Sequence, residues 1–151
     1  EGEGAYAAQV AAHAKATASE WIPICGDLEA ELRTMDEEER QMFMEELGVR
    51  QLGLDRLIQA SYSLLGLRTY FTAGEKEIRA WTIHQGDTAP VGAGVIHSDF
   101  EKKFIRAEVY SVADLEEFAT EAAVKSAGKL RTEGRDYVLQ DGDICHFLLG
   151  S

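Results

Sequence analysis

The spacing of the apolar residues changes at Gly66, and that change limits what this chain can fold into more than any single motif does. Upstream, Leu54, Leu57, Ile58, Ser61 and Leu65 fall at i, i+3, i+4, i+7 and i+11, the stripe of an amphipathic helix that closes at Gly66. Downstream, "LRTYFTAGEKEIRAWTI" reads as two strands rich in aromatic and β-branched residues, joined by a turn at Ala73–Glu75, hence a hairpin. Side chains return to one face about every 3.6 residues in a helix and every two in a strand, so one segment cannot satisfy both patterns. A largely helical part, residues 1–66, is therefore expected before a strand-rich part, residues 67–151.

Within the first part, Tyr6–Ser19 is rich in alanine and predicts a helix. "WIPIC", Trp21–Cys25, predicts a short strand, with Pro23 placing it at a sheet edge. After Gly26, "DLEAELRT" puts Leu28 and Leu32 on one helical face. Asp36 followed by Glu39 matches a capping box, and the helix that it starts should end at Gly48 as its C′ glycine.

In the second part, "FIRAEVY" alternates, with Ile105, Ala107 and Val109 on one face and Arg106 and Glu108 on the other. "DYVLQDGDICHFLL" predicts a second hairpin-like unit turning at Asp141–Asp143. Helical pieces are expected around Ala93–Lys103 and over "VADLEEFA" and "EAAVKSAGK". Two strands, a helix, then further strands with short helices describe an α+β module in which a sheet wraps a helix, the order of a β-grasp.

The 151 residues, 45% of them apolar, suffice for one sizeable domain or two small ones. With 15 Lys and Arg against 27 Asp and Glu, the net charge of −12 argues against coating nucleic acid by bulk charge. The imbalance is uneven: residues 1–66 carry 5 basic and 13 acidic side chains and residues 67–151 carry 10 and 14, so an anionic partner is expected on the second part. Cys25 and Cys145 form no CxxC and no Cys/His cluster, which predicts two free thiols in a reducing compartment and no zinc site. No stretch approaches the roughly 18 apolar residues of a membrane span, and the start lacks a signal-peptide pattern, so a cytoplasmic location is expected. A beginning without methionine, on the lead-in to an alanine-rich helix, points to a piece of a longer protein.

"GVIHSDFEKKF", Gly94–Phe104, sets His97, Ser98 and Asp99 side by side. A hydrolytic triad converges from positions distant in sequence, whereas adjacent side chains diverge, so no triad is expected. Instead, Ser98 or Asp99 should cap a helix that carries Phe100 and Phe104 into the core. His97 would lie at that helix start beside free N–H groups, where a phosphate is welcome, with Lys102, Lys103 and Arg106 close behind. It reads equally as a packed structural histidine. Lys125, Lys129, Arg131 and Arg135 form a second basic run, diluted by Glu121, Glu133 and Asp136, which ordinary solvated surface would explain. Trp81 and Phe71 read as sheet core before stacking platforms.

"TYFTAGEKEIRAWTIHQGDTAP", "AGVIHSDFEKKFIRAEV" and "KLRTEGRDYVLQDGDICHFLL", in this order, closely resemble the C-terminal TGS domain of the Obg-like ATPases, the YchF subfamily of P-loop NTPases. "PICGDLEAEL", Pro23–Leu32, resembles the last strand and fifth nucleotide-binding loop of that family's G domain, with Cys25-Gly26-Asp27 standing where Ser-Gly-Ala or Cys-Ala-Ala is usual. "MDEEERQMFMEELGV" and "GLDRLIQASYSLLGL" resemble the segment that joins the two domains. The resemblance implies an α+β fold: a β-grasp (ubiquitin-like) TGS domain at 67–151, preceded at 1–66 by a mainly helical remnant of a P-loop G domain with linker helices. Lys103 stands where the family usually has Gly in "EKGF", which argues against a left-handed glycine-type turn there.

By the same resemblance the chain is the C-terminal part of a ribosome-associated protein that binds and hydrolyses ATP or GTP. Cys25, Gly26, Asp27 and Leu28 would line the base or ribose pocket, and His97, Lys102, Lys103, Arg106, Lys125, Lys129, Arg131 and Arg135 are candidates for contact with RNA or the ribosome. TGS domains of stringent-response synthetases carry a similar "IHTD" and use it near tRNA. The chain has no GxxxxGK[ST] loop, no Mg-binding carboxylate motif after a strand and no base-recognition motif. No catalytic residue, metal ligand or cofactor is therefore expected within it; ATP or GTP with Mg belongs to the parent protein upstream. Expected partners are the ribosome or its RNA and the upstream G domain, with no membrane and no DNA. The alternative is a ubiquitin-like protein-interaction module that binds no RNA.

Overall fold

Two helices of the first part end at the glycines where the sequence places their ends. Helix α3 (Glu37–Glu46) starts at Asp36, whose carboxylate accepts the Glu39 N–H at 2.9 Å; the return bond of a capping box is not formed. At its other end Gly48 has φ +67°, and the Gly48 and Val49 N–H groups donate to the carbonyls of Glu45 and Met44 at 3.1 and 2.8 Å, a Schellman closure. Gly66, at φ +64°, follows α4 (Gly53–Leu64) in the same left-handed conformation.

The computed structural model describes residues 4–74 and 77–150. The chain divides into two compact units, Glu1–Leu64 and Leu65–Ser151. The first holds α1 (Ala5–Ala16), α2 (Gly26–Leu32), α3 and α4. Leu32 is buried as expected and Leu28 half-buried. The strand expected at Trp21–Cys25 does not form: Cys25 is extended, yet the segment joins no ladder among the described residues. A strand is completed only by a partner, and Pro23 cannot donate to one. This segment is held from α4 instead, by the Arg56 guanidinium, which donates to the Pro23 carbonyl at 2.6 Å, while the Gly53 N–H donates to the Glu29 carboxylate of α2. The apolar stripe of α4 exists but lies largely open, with Leu54 51%, Leu57 43% and Ile58 49% exposed.

The second unit runs β1 (Leu67–Ala73), β2 (Ile78–His84), α5 (Ala89–Ile96), α6 (Ser98–Lys103), β3 (Phe104–Ser111), α7 (Val112–Phe118), α8 (Glu121–Ser126), β4 (Arg131–Glu133) and β5 (Asp143–Leu149). Its five strands lie in the order β2-β1-β5-β3-β4, with β1 and β5 parallel and the other pairs antiparallel. Tyr70, Ile83, Ala107, Val109 and Cys145 pack with Ala89 and Ala93 of α5 in the larger core cluster. Tyr110 and Ile144, the next residues along β3 and β5, point to the opposite face and pack with Val124, Leu115 and Phe118 from the α7–α8 side.

Small residues let α5 lie close to the sheet. The Tyr70 hydroxyl, fully buried, donates to the Gly92 carbonyl at 2.8 Å, and a Cβ on Gly92 would stand 2.3 Å from Leu139 Cδ1.

Three expectations change in this unit. The helix expected over Ala93–Lys103 is two helices, interrupted at His97, where the backbone is extended (φ −160°, ψ 137°). Ile105 does not face the core with Ala107 and Val109: a register shift between Phe104 and Arg106 inserts it as an extra residue, so Phe104 is buried and Ile105 58% exposed. The second hairpin does not form either. The segment before Asp141 turns to α5, with the Ala89 N–H bonded to the Tyr137 carbonyl and the Leu139 N–H to the Asp87 carbonyl, and β5 pairs with β1 and β3 instead. The strand antiparallel to β3 at the sheet's end is the short β4, Arg131–Glu133. The first hairpin is present in full register from Leu67↔His84 to Ala73↔Ile78, and the Gly74 N–H donates to the Glu77 carbonyl across its tip; Glu75 of the expected turn lies outside the described residues.

Gly92→Ala should destabilise the chain by about 1–3 kcal/mol, because Leu139 is itself buried and has nowhere to move. Thermal unfolding followed by circular dichroism checks this, with a melting temperature lowered by several degrees as the expected outcome.

Candidate functional site

His97 is the residue on which the candidate site turns. The N-cap position of α6 belongs to the residue with extended backbone, and that is His97; Ser98 and Asp99 are already helical and cannot serve as the cap. Its Nδ1 accepts the Asp99 N–H at 3.2 Å, which puts the ring proton on Nε2, and its ring centroid lies 5.7 Å from that of Phe100. The amide expected to welcome a phosphate is thus already occupied by the imidazole, while the imidazole itself stays exposed.

Lys102 and Lys103 form the last turn of α6 and are exposed, as is Arg106 beyond the bulge. Lys103 lies in ordinary helical backbone: among the described residues only Ala18 and Ala119 take positive φ without being glycine. The Lys103 carbonyl accepts the Gly150 N–H at 2.7 Å, which ties the α6–β3 junction to the end of β5. Arg135 reaches the same junction, its guanidinium donating to the Phe104 carbonyl at 2.8 Å and lying 5.9 Å from the Phe104 ring centroid. Residues some thirty positions apart in sequence are therefore joined at one place.

The rest of the second basic run is differently employed. Lys125 is exposed in the last turn of α8. The Lys129 ammonium stands 3.8 Å from the Asp114 carboxylate. Arg131 lies 3.8 Å from Glu133 and 3.4 Å from Asp143, donates to the Tyr137 hydroxyl at 3.1 Å and stacks over its ring. Hydrogen bonding from Ser111 holds the Asp114 carboxyl below its usual range, with Lys129 and Arg131 adding to the effect.

A buried carboxylate that sequence reasoning missed organises the loop carrying Arg135. Asp143 is 2% exposed and accepts the Tyr137 hydroxyl at 2.8 Å and the Gln140 N–H at 2.9 Å. The signal was an acidic residue opening a mostly apolar strand, where only a full set of donors makes burial tolerable. Burial, then the Asp143 carboxylate, push the Tyr137 phenol up to about 12.

Around the fifth nucleotide-motif candidates, Cys25 is the N-cap of α2 without a side-chain cap bond, and Gly26 and Asp27 are exposed in its first turn. Asp27 is thus within the helix rather than at its cap, and Leu28 points partly inward. Among the described residues no group of three or more His, Cys, Asp and Glu is placed to hold a metal ion, and no helix is long and apolar enough to cross a membrane.

Tyr137→Phe leaves Asp143 without one of its donors and should cost about 1–3 kcal/mol. The raised phenol pKa means that this side chain stabilises the fold fully below pH 10.0, its ordinary value, and that the contribution is lost as pH rises toward about 12. Alkaline titration followed by phenolate absorbance should therefore show a late-titrating tyrosine near pH 12 that Tyr137→Phe removes, while Tyr70 and Tyr110, also raised by burial, still titrate late.

The comparisons agree with one another. A model for the C-terminal region of YchF-type GTPases, described as a protein of unknown function (DUF933), matches residues 67–149. The "Ribosome-binding ATPase YchF" of Bacillus subtilis is 54% identical over 140 residues, covering 93% of this chain and 38% of its own length. The "Obg-like ATPase 1" of Gallus gallus is 51% identical over 126 residues, 83% of this chain and 32% of its own. The solved structure of the Schizosaccharomyces pombe YchF GTPase superposes with a TM-score of 0.80 at 36% identity, covering 97% of this chain and 39% of that one. The chain thus spans a little over a third of the length of the first curated relative and of the solved structure. With more than half of its residues matched by the family model and with these relatives beside it, the chain belongs to the YchF family of Obg-like ATPases, as the C-terminal part of such a protein.

Proposed function

We propose that this chain is the ribosome-docking end of an ATP- or GTP-hydrolysing protein, with residues 67–151 as a TGS domain of the β-grasp type and residues 1–66 as the G-domain remnant and linker. The β-grasp reading is supported by the strand order, with β1 and β5 parallel at the centre and α5 packed on one face. Nucleotide and Mg would be held and turned over upstream, with Cys25, Gly26, Asp27 and Leu28 contributing backbone to the base or ribose side of that pocket. The relatives are named for ribosome binding, and RNA docking is assigned to the second unit because it carries 10 of the chain's 15 Lys and Arg. The observation that carries it is the Arg135–Phe104 bond, which adds a cation from a distant loop to the exposed Lys102, Lys103 and Arg106. His97 stands at the other end of α6. Lys125 completes the surface at a second point, while Lys129 and Arg131 serve mainly the fold, each already beside a carboxylate.

A second reading, protein interaction without RNA, has its own observation. β2 is an edge strand with its outer side unpaired among the described residues and with Ile78 78% exposed, so another strand could add to it.

Salt separates the two. Phosphate contacts release counterions, so docking through Lys102, Lys103 and Arg106 weakens steeply as ionic strength rises, whereas apolar strand addition does not. In ribosome co-sedimentation of the full-length protein, Lys102→Glu/Lys103→Glu should reduce binding by at least about tenfold at moderate salt. Pelleting that is unchanged by both the charge reversal and added salt would remove the RNA reading in favour of the second.

A further inference from the structure

Beside the α6–β3 junction the second unit has a cleft of about 530 Å³, walled by Ile96, His97, Phe100, Lys103 and Leu149, with Asp99 also in the wall. Each kind of group in it has a counterpart in one chemical class of ligand. Ile96 and Leu149 offer an apolar floor. The rings of His97 and Phe100, tilted 49° to each other, offer π surface to a flat heterocycle. Lys103 supplies a cation with no carboxylate partner among the described residues, and Arg135 lies just beyond it on the Phe104 carbonyl. Asp99, 61% exposed at its side chain, is an acceptor, and His97 Nε2 carries an outward N–H once Nδ1 is engaged.

A duplex cannot use such a place, because its bases are stacked and paired; an unpaired strand can turn one base out and stack it on protein rings. We propose that this cleft holds one unstacked, amine-bearing base of single-stranded RNA: the ring lies against His97 and Phe100, its exocyclic amine donates to Asp99, and the adjoining phosphate meets Lys103. The inference rests on the RNA reading given above and sharpens it from a charged face to a site for a base. It does not use the α6 amides, whose Asp99 N–H is already taken by His97. The carboxylate selects cytosine over uracil, which presents a carbonyl where cytosine presents its amine.

Fluorescence anisotropy of the 151-residue chain with short oligocytidylate, oligouridylate and an RNA duplex tests this directly. Oligocytidylate should bind at least about fivefold more tightly than oligouridylate and more tightly than the duplex. His97→Asn keeps an acceptor for the Asp99 N–H and so keeps the cap, but removes the ring; it should weaken oligocytidylate by at least about fivefold and leave the salt dependence of binding unchanged. Lys103→Ala should instead lower the salt slope by about one phosphate contact. Melting curves of the variants establish that they fold.

Equal binding of the two oligonucleotides, binding no better than to duplex, or a silent His97→Asn in a folded variant would each overturn the base site. If that happens while Lys102→Glu/Lys103→Glu still strips the full-length protein from ribosomes, the base site alone has failed. If ribosome binding ignores the charge reversal as well, the RNA reading has failed with it.

Discussion

The second unit depends on how closely α5 approaches β1. Tyr70 places a whole aromatic ring under the helix, and its hydroxyl has one exit from burial, the Gly92 carbonyl. Burial raises the phenol's pKa, with the nearby Cys145 thiol adding to it, so the group remains a donor. A buried hydroxyl with no acceptor would cost about 1–3 kcal/mol, and any side chain at residue 92 would push Leu139 out of the same space. With α5 fixed at this distance, Leu139 and Tyr137 are drawn to Asp87 and Ala89 at its start, the chain leaves α5 at His97, and α6 returns to start β3 at Phe104.

This geometry explains how a chain of net charge −12 can present a cationic place. Charges separated by more than about 8–10 Å are largely screened at physiological salt, so the sum over the chain says little about one junction. What matters is which cations have internal partners. Arg131 has Asp143, Glu133 and Tyr137, and Lys129 has Asp114. Arg135 is held by a carbonyl, which fixes its position and leaves its charge intact. Lys102, Lys103 and Arg106 remain in solvent. The buried Asp143 therefore acts at a distance, since the loop it organises through Tyr137 and Gln140 is the one that delivers Arg135.

Much of the architecture was legible because it is written in local chemistry. Gly48 and Gly66 mark helix ends since only glycine takes left-handed backbone without penalty, and Asp36 marks a start since a short carboxylate reaches the amide at Glu39. The β1–β2 hairpin follows from alternation and a glycine turn. The misreadings share one cause. Ile105 alternates correctly with Ala107 and Val109, but the bulge that turns it outward is a property of the β3–β5 pair. Tyr137–Leu139 has strand composition, but its backbone hydrogen bonds go to Asp87 and Ala89 at the start of α5, far away in sequence. "WIPIC" has strand composition as well and finds no partner among the described residues.

By itself the sequence determined the ends of α3 and α4, the first hairpin, the two-part texture of the chain, and the family, because capping, turn chemistry, periodicity and ordered motifs are all written in neighbouring residues. Tertiary structure alone decided that His97 caps α6, that Arg135 joins the residues at 102–106 while Arg131 does not, and that a cleft opens beside them. The reason is physical: which partner a buried polar group or a cation finds depends on what the rest of the chain brings within about 3 Å of it, and no local pattern encodes that distance.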